Sequence, residues 1–114
     1  MNYKDILVFL DDGKSNEARV NTAIYLAKAH GAKLTGVSLE ALKPDHLIVE
    51  DEDAAKALTR KFAHELAETF TEKARNEGVA DVDALVIPGR LSDSAVKLSQ
   101  HARNYDLIML RQPN

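Results

Sequence analysis

Four short apolar runs alternate with longer segments of helical periodicity along the chain. The first, third and fourth runs are almost continuously apolar, which is typical of strands covered on both faces of a sheet. The second run alternates between apolar and polar residues, which is also typical of a strand. Asp-Asp-Gly closes the first run and Pro-Gly closes the third, and both are turn sequences. The pattern predicts strands at Ile6–Leu10, Lys33–Leu39, Asp83–Ile87 and Asp106–Leu110.

Three helices are predicted between the strands. The first follows Ser15 as its N-cap and ends at Gly31, a suitable left-handed C-cap. The second covers Ala54–Glu77 and is the longest element, and the third covers Asp93–Arg103. Apolar residues recur every four positions along the second helix and are expected to face the core: Leu58, Phe62, Leu66, Phe70 and Ala74.

The alternation of strands and helices predicts the fold class. Strands that are separated by helices form a parallel sheet with right-handed crossovers, with helices on both faces. We therefore expect a three-layer α/β/α fold built on four parallel strands. A ligand of such a sheet is expected beyond the carboxyl ends of the strands, near the point where the strand order reverses.

Composition narrows the classes of function. The 114 residues suit one domain, predicted to span 1–114, and the absence of cysteine excludes disulfides and thiolate metal sites. The 15 basic and 18 acidic residues give a net charge of -3, so no basic excess indicates a nucleic-acid partner. No apolar stretch approaches the roughly 20 residues that span a bilayer. A cytoplasmic protein that contacts no membrane is predicted.

Two aspartates directly after the first strand are the strongest polar feature. Asp11 either faces a ligand at this edge of the sheet or forms a turn with Asp12 and Gly13. The acidic pair is also similar to the Mg²⁺ pocket of receiver domains. A receiver needs a carboxylate at the end of its third strand, where this chain has Ile87-Pro88-Gly89. A receiver-like or purely structural interaction domain is therefore the weaker alternative.

The remaining candidate motifs predict neither catalysis nor a metal site. His64 and Glu65 begin like a zinc-protease helix, but the second histidine of that motif is replaced by Glu68. Ser92 has no Gly-x-Ser-x-Gly elbow around it and is interpreted as a helix cap. No set of nucleophile, base and electrophile can be assembled, so no enzyme is predicted.

The order and spacing of the segments resemble the universal stress protein family. The family's first strand ends in Asp, as Ile6–Asp11 does, and its first helix carries Ala-x-x-x-Ala, as Ala23–Ala27 does. Ala32–Leu39 is similar to the second strand, the third strand leads to Gly89, and Asp106–Leu110 is similar to the family's fourth strand. The resemblance covers all four strands and implies the sheet order 3-2-1-4.

Two positions after the fourth strand depart from the members that bind ATP. Those members carry Gly-x-x-Gly there, whose backbone N–H groups close on phosphates, and this chain has Arg111 and Asn114 instead. The resemblance therefore favours a member that does not hold ATP. For the alternative, an ATP or AMP binder with at most weak ATPase activity, the resemblance implies these site residues: Leu10, Asp11, Ser38, Leu39, Gly89 and Arg111.

Compared with the family, the chain also lacks the fourth helix and the fifth strand, and members commonly dimerise through that fifth strand. The resemblance therefore implies a C-terminally truncated or short member that pairs by another sheet edge. Arg90 and Arg111 follow the third and fourth strands and are candidate contacts for an anion. The resemblance therefore implies a stress-response regulatory module that works as a homodimer or with another protein partner.

Overall fold

Six elements make up the part of the chain that the structure, a computed structural model, describes. It describes residues 3–11, 13–40, 52–88 and 105–109. The predicted third helix, Asp93–Arg103, lies outside these residues. The elements are β1 (Asp5–Phe9), α1 (Asn16–His30), β2 (Lys33–Glu40), α2 (Glu52–Asn76), β3 (Val82–Pro88) and β4 (Leu107–Met109).

The four strands form one parallel sheet in the order β3-β2-β1-β4. β1 is central, with Ile6 opposite Leu34 of β2 on one side and opposite Leu107 of β4 on the other. The long β2 also pairs with the whole of β3. The predicted α/β class and the order 3-2-1-4 are confirmed, and the strands lie where the apolar runs placed them, to within a few residues.

Both described helices cover the same face of the sheet. Ile6, Val8 and Leu34 project from that face and are fully buried. α1 packs over β1 and β2, and α2 packs over β2 and β3. The helices complete this core with Val20, Ala23, Ile24 and Ala27 of α1 and with Phe70 and Ala74 of α2. Because successive strand residues point to opposite faces, the alternate positions form a second cluster around Leu7, Val37 and Ile87.

The apolar stripe predicted for α2 is only partly correct. Phe70 and Ala74 are buried, but Leu58 and Phe62 leave 44% and 50% of their surface exposed. Each step of four residues advances about 40° around a helix, so a five-member row turns by about 160° and cannot all face one sheet. The described residues of α2 that are buried follow a mixed spacing of three and four: Thr59, Ala63, Ala67, Phe70 and Ala74.

Gly36 of β2 lets α2 approach the sheet closely. A Cβ atom at this position would lie 2.6 Å from Cδ2 of Phe70 and 2.9 Å from Cδ1 of Leu10. Both distances are shorter than any ordinary carbon–carbon contact, so the Phe70 ring occupies the space that a side chain would need. The glycine therefore fixes how deeply α2 seats on the sheet.

We expect Gly36→Ala to destabilise the protein by about 1–3 kcal/mol, because the added methyl group overpacks the contact with Phe70. Urea unfolding monitored by circular dichroism measures the change. In a Phe70→Leu background the smaller side chain makes room, so the same substitution should cost less there. An equal cost in both backgrounds would contradict the contact.

Asp106 ties the start of β4 to the start of the chain. Its Oδ2 accepts hydrogen bonds from the backbone N–H groups of Lys4, at 2.8 Å, and Asp5, at 3.0 Å. These hydrogen bonds, chiefly that from Lys4, lower the pKa of Asp106 from its ordinary value of 3.8 because they favour the charged carboxylate.

Because the folded-state pKa of Asp106 is lowered, this contact contributes its full stabilisation at pH values above the unfolded-state pKa. The contribution is lost as the pH falls through the folded-state pKa. We therefore expect the stability difference between the native protein and Asp106→Asn to be present at neutral pH and to shrink as the solution is acidified below about pH 4. Chemical unfolding across that range measures it. Asp81→Asn, at another exposed aspartate, controls for the loss of one charge, and parallel pH profiles for the two variants would contradict the assignment.

Candidate functional site

The sheet has its topological switch point between β1 and β4. The chain leaves β1 towards β2 on one side, whereas β4 lies on the other side, so connections diverge at the carboxyl end of β1. Parallel α/β sheets bind ligands in the crevice that such a divergence leaves. The described part of this crevice consists of the ends of β1 and β2 and the turn that leads into α1.

Asp11 lies at this point and its carboxylate is engaged by the protein itself. Oδ1 accepts a hydrogen bond from the backbone N–H of Gly13 at 2.9 Å and forms an ion pair with Nη2 of Arg19 at 3.2 Å. The backbone N–H of Asp11 donates to Oδ1 of Asn16 at 3.0 Å. The Asp11 side chain therefore holds the turn together, and its contact with a ligand stays a prediction.

Arg19 is the residue at the centre of this cluster, and the motif analysis missed it. Its side chain is only 7% exposed although it projects from the first turns of α1. Nε donates to the carbonyl oxygen of Phe9 at 2.8 Å, and the guanidinium carbon lies 5.8 Å from the centre of the Phe9 ring. Nη1 and Nη2 also lie 3.3 Å from Ser15 Oγ and Asn16 Oδ1.

The Arg19–Asp11 pair places two opposite charges together at the end of β1. Both side chains are nearly buried, so water screens the attraction between their charges only weakly. The guanidinium offsets the negative charge that Asp11 would otherwise present at the end of β1. Arg19 also bonds to β1, to the turn and to the first turn of α1, and so it fixes their relative positions.

The start of α1 differs from the predicted capping. Ser15 has helical backbone angles and makes no side-chain cap hydrogen bond. Its hydroxyl instead lies near Arg19, and Asn16 turns its side chain towards Asp11. At the other end of α1, Gly31 adopts the predicted left-handed conformation, with φ of 63°.

Leu10 and Ser38 turn their side chains away from the crevice and into the core. Leu10 is buried, and its backbone N–H donates to the carbonyl of Val37 at 2.8 Å. Ser38 is fully buried, and its hydroxyl donates to the carbonyl oxygen of Ala63 in α2 at 2.8 Å. That hydroxyl satisfies a helix carbonyl, so only backbone groups of this segment remain for a ligand.

Leu39 is half-buried on the opposite face, against the cluster that includes Phe9, Tyr105 and Ile108. Backbone groups of alternate residues in a strand point to the same neighbour. Because the carbonyl of Val37 accepts from β1, the backbone of Leu39 points to the same side, one step past the end of β1. Three other predicted contacts lie outside the described residues: Gly89, Arg90 and Arg111.

The described residues contain no group of three or more His, Cys, Asp or Glu side chains that could hold a metal ion. Neither α1 nor α2 combines the length and the apolar content that a bilayer crossing requires.

One signal in the sequence points to Arg19. It precedes Ala23 by four residues and Val20 by one, so it belongs to the face of α1 that is otherwise apolar. A charged residue on a buried face needs a partner, and a carboxylate eight positions earlier follows the adjoining strand.

Comparisons with known proteins agree with the fold. The model of the universal stress protein family matches residues 2–112. A protein of Staphylococcus aureus (strain USA300) that is named as a universal stress protein is 33% identical to this chain over 108 residues. That match covers 94% of this chain but only 64% of the relative, so the chain spans about two thirds of the length of the curated relatives it matches.

Two crystal structures have the same fold. A universal stress protein family member from Burkholderia pseudomallei superposes with a TM-score of 0.80 at 21% identity, covering 96% of this chain and 82% of its own. A universal stress protein in complex with cAMP superposes with a TM-score of 0.64 at 19% identity, covering 95% of this chain and 72% of its own.

Proposed function

The chain belongs to the universal stress protein family, and from that premise we propose that it is a stress-response regulatory module that acts through protein contacts and does not hold ATP. The proposal includes action in the cytoplasm, as a homodimer or with another protein, and no catalysis. It rests on the internal engagement of the side chains at the end of β1.

The Asp11–Arg19 pair is the observation that carries this proposal. A nucleotide that contacts this carboxylate must compete with the partners that Asp11 already has. Oδ1 of Asp11 already has the Gly13 N–H and the Arg19 guanidinium within hydrogen-bonding distance. Separating a nearly buried ion pair is costly, because both charges would lose a partner in a region with little water. ATP binding would have to offset that cost.

The phosphate side of the crevice supports the same proposal. Members that bind ATP close glycine backbone N–H groups on the phosphates after the fourth strand. This chain has Arg111 and Asn114 at those positions, and their side chains differ from glycine in the backbone conformations they allow. With the phosphate loop altered and the Asp11 carboxylate engaged, neither half of the crevice is suited to ATP.

Binding of an adenine nucleotide is the second candidate. The complex of a universal stress protein with cAMP favours it, because that protein shares this fold and its ligand is an adenine nucleotide without a triphosphate. In this chain the backbone of Leu39 would contact the base, and Leu10 and Asp11 would flank the ligand. A cyclic monophosphate carries less charge than ATP and needs a smaller phosphate loop.

Isothermal titration calorimetry separates the two candidates. We expect no saturable heat when ATP with Mg²⁺, AMP or cAMP is titrated to millimolar concentration. Micromolar binding of ATP that Asp11→Asn abolishes would overturn the proposal. Binding of cAMP alone would establish the second candidate. The exposed Asp81→Asn is the matched control, because it removes the same charge far along the chain from the crevice.

A further inference from the structure

β3 forms one edge of the sheet. It has seven residues and pairs with β2 alone among the described strands. The backbone N–H of Leu34 donates to the carbonyl of Asp81, so the carbonyl at position 81 faces β2. Backbone groups alternate along a strand, and those of Val82, Ala84 and Val86 therefore point away from β2. An edge of this length can accept an extended segment as a further strand.

The Asp83 side chain occupies the middle of this edge. Its Oδ1 accepts a hydrogen bond from the backbone N–H of Ala84 at 2.8 Å. An added strand would offer a carbonyl oxygen to the same N–H, so the carboxylate takes the place of that oxygen. Because Asp83 is exposed, its carboxylate can return to water when a strand pairs, and little is lost in the exchange.

A groove of about 660 Å³ lies beside the edge, between β3 and one flank of α2. Small side chains line its inner part: Ala67 and Thr71 of α2, and Ala84 of β3. The Thr71 hydroxyl donates to the Ala67 carbonyl oxygen within α2 at 2.8 Å, so it needs no partner from a ligand. The groove therefore offers a shallow surface over which a long aliphatic side chain can lie.

The charged side chains that line the groove come from α2. Glu68 and Glu72 are exposed and lie four residues apart on one flank of the helix. Among the described residues neither carboxylate has an ion-pair partner. His64 precedes the two carboxylates along the helix, and Arg75 follows them. The middle of the groove is therefore acidic, and basic groups are attracted there.

The spacing of the two carboxylates matches that of an added strand. Four residues of a helix rise about 6 Å. Alternate residues of a strand lie about 6.7 Å apart and project from the same face. Two basic residues separated by one residue therefore reach Glu68 and Glu72 together, with their aliphatic parts across the small side chains of the groove. Adjacent basic residues would point to opposite faces.

We propose that the β3 edge and the acidic flank of α2 bind an extended basic segment of another protein, which adds to the sheet as a strand beside β3. The segment carries Lys or Arg at two positions separated by one β-branched residue. This inference rests on the proposed function and names the chemistry of its protein partner. A second copy of this chain is a poor occupant, because β3 itself carries Asp83 and no basic residue.

Two labelled peptides of the same composition test the spacing. The lysines of Thr-Val-Lys-Val-Lys-Val-Thr share one face of an extended strand, whereas those of Thr-Val-Lys-Lys-Val-Val-Thr point to opposite faces. We expect the first peptide to bind saturably in fluorescence anisotropy and the second to bind at least about tenfold more weakly. Absence of saturable binding by the first peptide, or equal binding of the two, would overturn the proposal.

Charge reversal on the protein tests the acidic flank. Glu68→Lys combined with Glu72→Lys should abolish binding of the first peptide and permit binding of its counterpart with glutamate at both lysine positions. Glu65→Lys combined with Glu77→Lys is the matched control, because it makes the same charge change at exposed positions outside the groove. The control should keep the native preference, and loss of lysine-peptide binding in both double variants would contradict the site.

Amide hydrogen exchange of the native protein shows whether a strand has been added. We expect the first peptide to slow exchange at Ala84 and Val86 and to leave Leu85, whose N–H faces β2, unchanged. Binding without this alternation would mean attraction between charges alone and would overturn the proposal. Slowed exchange at the same amides when the protein alone is concentrated would also overturn it, because a second copy would then occupy the edge.

The nucleotide titration is independent of these measurements, because it reports on the end of β1. A protein that binds ATP and still takes up the peptide would refute the proposed function and leave the edge site standing. A protein that binds neither would refute the edge site alone.

Discussion

Replacing Arg19 with methionine is expected to destabilise the protein by about 2–4 kcal/mol, because it leaves the nearly buried Asp11 carboxylate without its charged partner. Methionine keeps most of the aliphatic volume, so little of the loss comes from an empty space. The bond to the Phe9 carbonyl is also lost, which loosens the turn from β1. Urea unfolding at neutral pH measures the effect.

A double-mutant cycle tests whether this loss comes from the ion pair. In the Asp11→Asn background no uncompensated charge remains, so Arg19→Met should cost at least about 1 kcal/mol less there. Arg75→Met, at an exposed arginine of α2, should change stability by no more than about 0.5 kcal/mol. Equal costs of Arg19→Met in the two backgrounds would show that the pair is not coupled.

Phe70→Ala is expected to have the largest effect of any single substitution considered, about 3–5 kcal/mol. The ring is buried between α2 and the sheet, against Gly36 and Leu10. Removing it leaves a cavity that the glycine cannot fill, since Gly36 has no side chain to move into the space. The urea midpoint and the thermal midpoint should both fall.

Phe62→Ala is the matched control, because it removes the same side chain from the same helix. Half of Phe62 is exposed, so we expect a loss of no more than about 1 kcal/mol. Similar losses for the two variants would mean that α2 is rotated relative to the described packing, with Phe62 facing the sheet.

The sequence pattern predicted where the strands and helices lie better than it predicted which helix residues face the core. Apolar runs located the strands because buried parallel strands have no polar alternation. The prediction that the row from Leu58 to Phe70 faces the core was wrong for its first residues, because positions four residues apart drift around the helix. Reading the alternation of β2 would have placed Ser38 on the α2 side, because it shares its parity with Leu34 and Gly36.

The candidate site was only half predictable. Asp11 was identified from its position after β1, which depends on local sequence alone. The role of Arg19 depends on how α1 leaves the turn, because only that geometry brings the guanidinium to the Phe9 carbonyl and to Asp11. Arginine in a helix is usually on the surface, so the place of Arg19 on the apolar face of α1 indicates burial but not the groups that it bonds.

The most direct test of the proposed function is an NMR titration of the native protein with ATP and Mg²⁺. The backbone amides of Asp11 and Gly13 and the Nε–H of Arg19 report on the cluster at the end of β1. If the cluster is committed to the protein's own structure, these three signals stay where they are as ATP reaches millimolar concentration. A saturable shift of all three would contradict the account, because it would mean that ATP enters the crevice and replaces the ion pair.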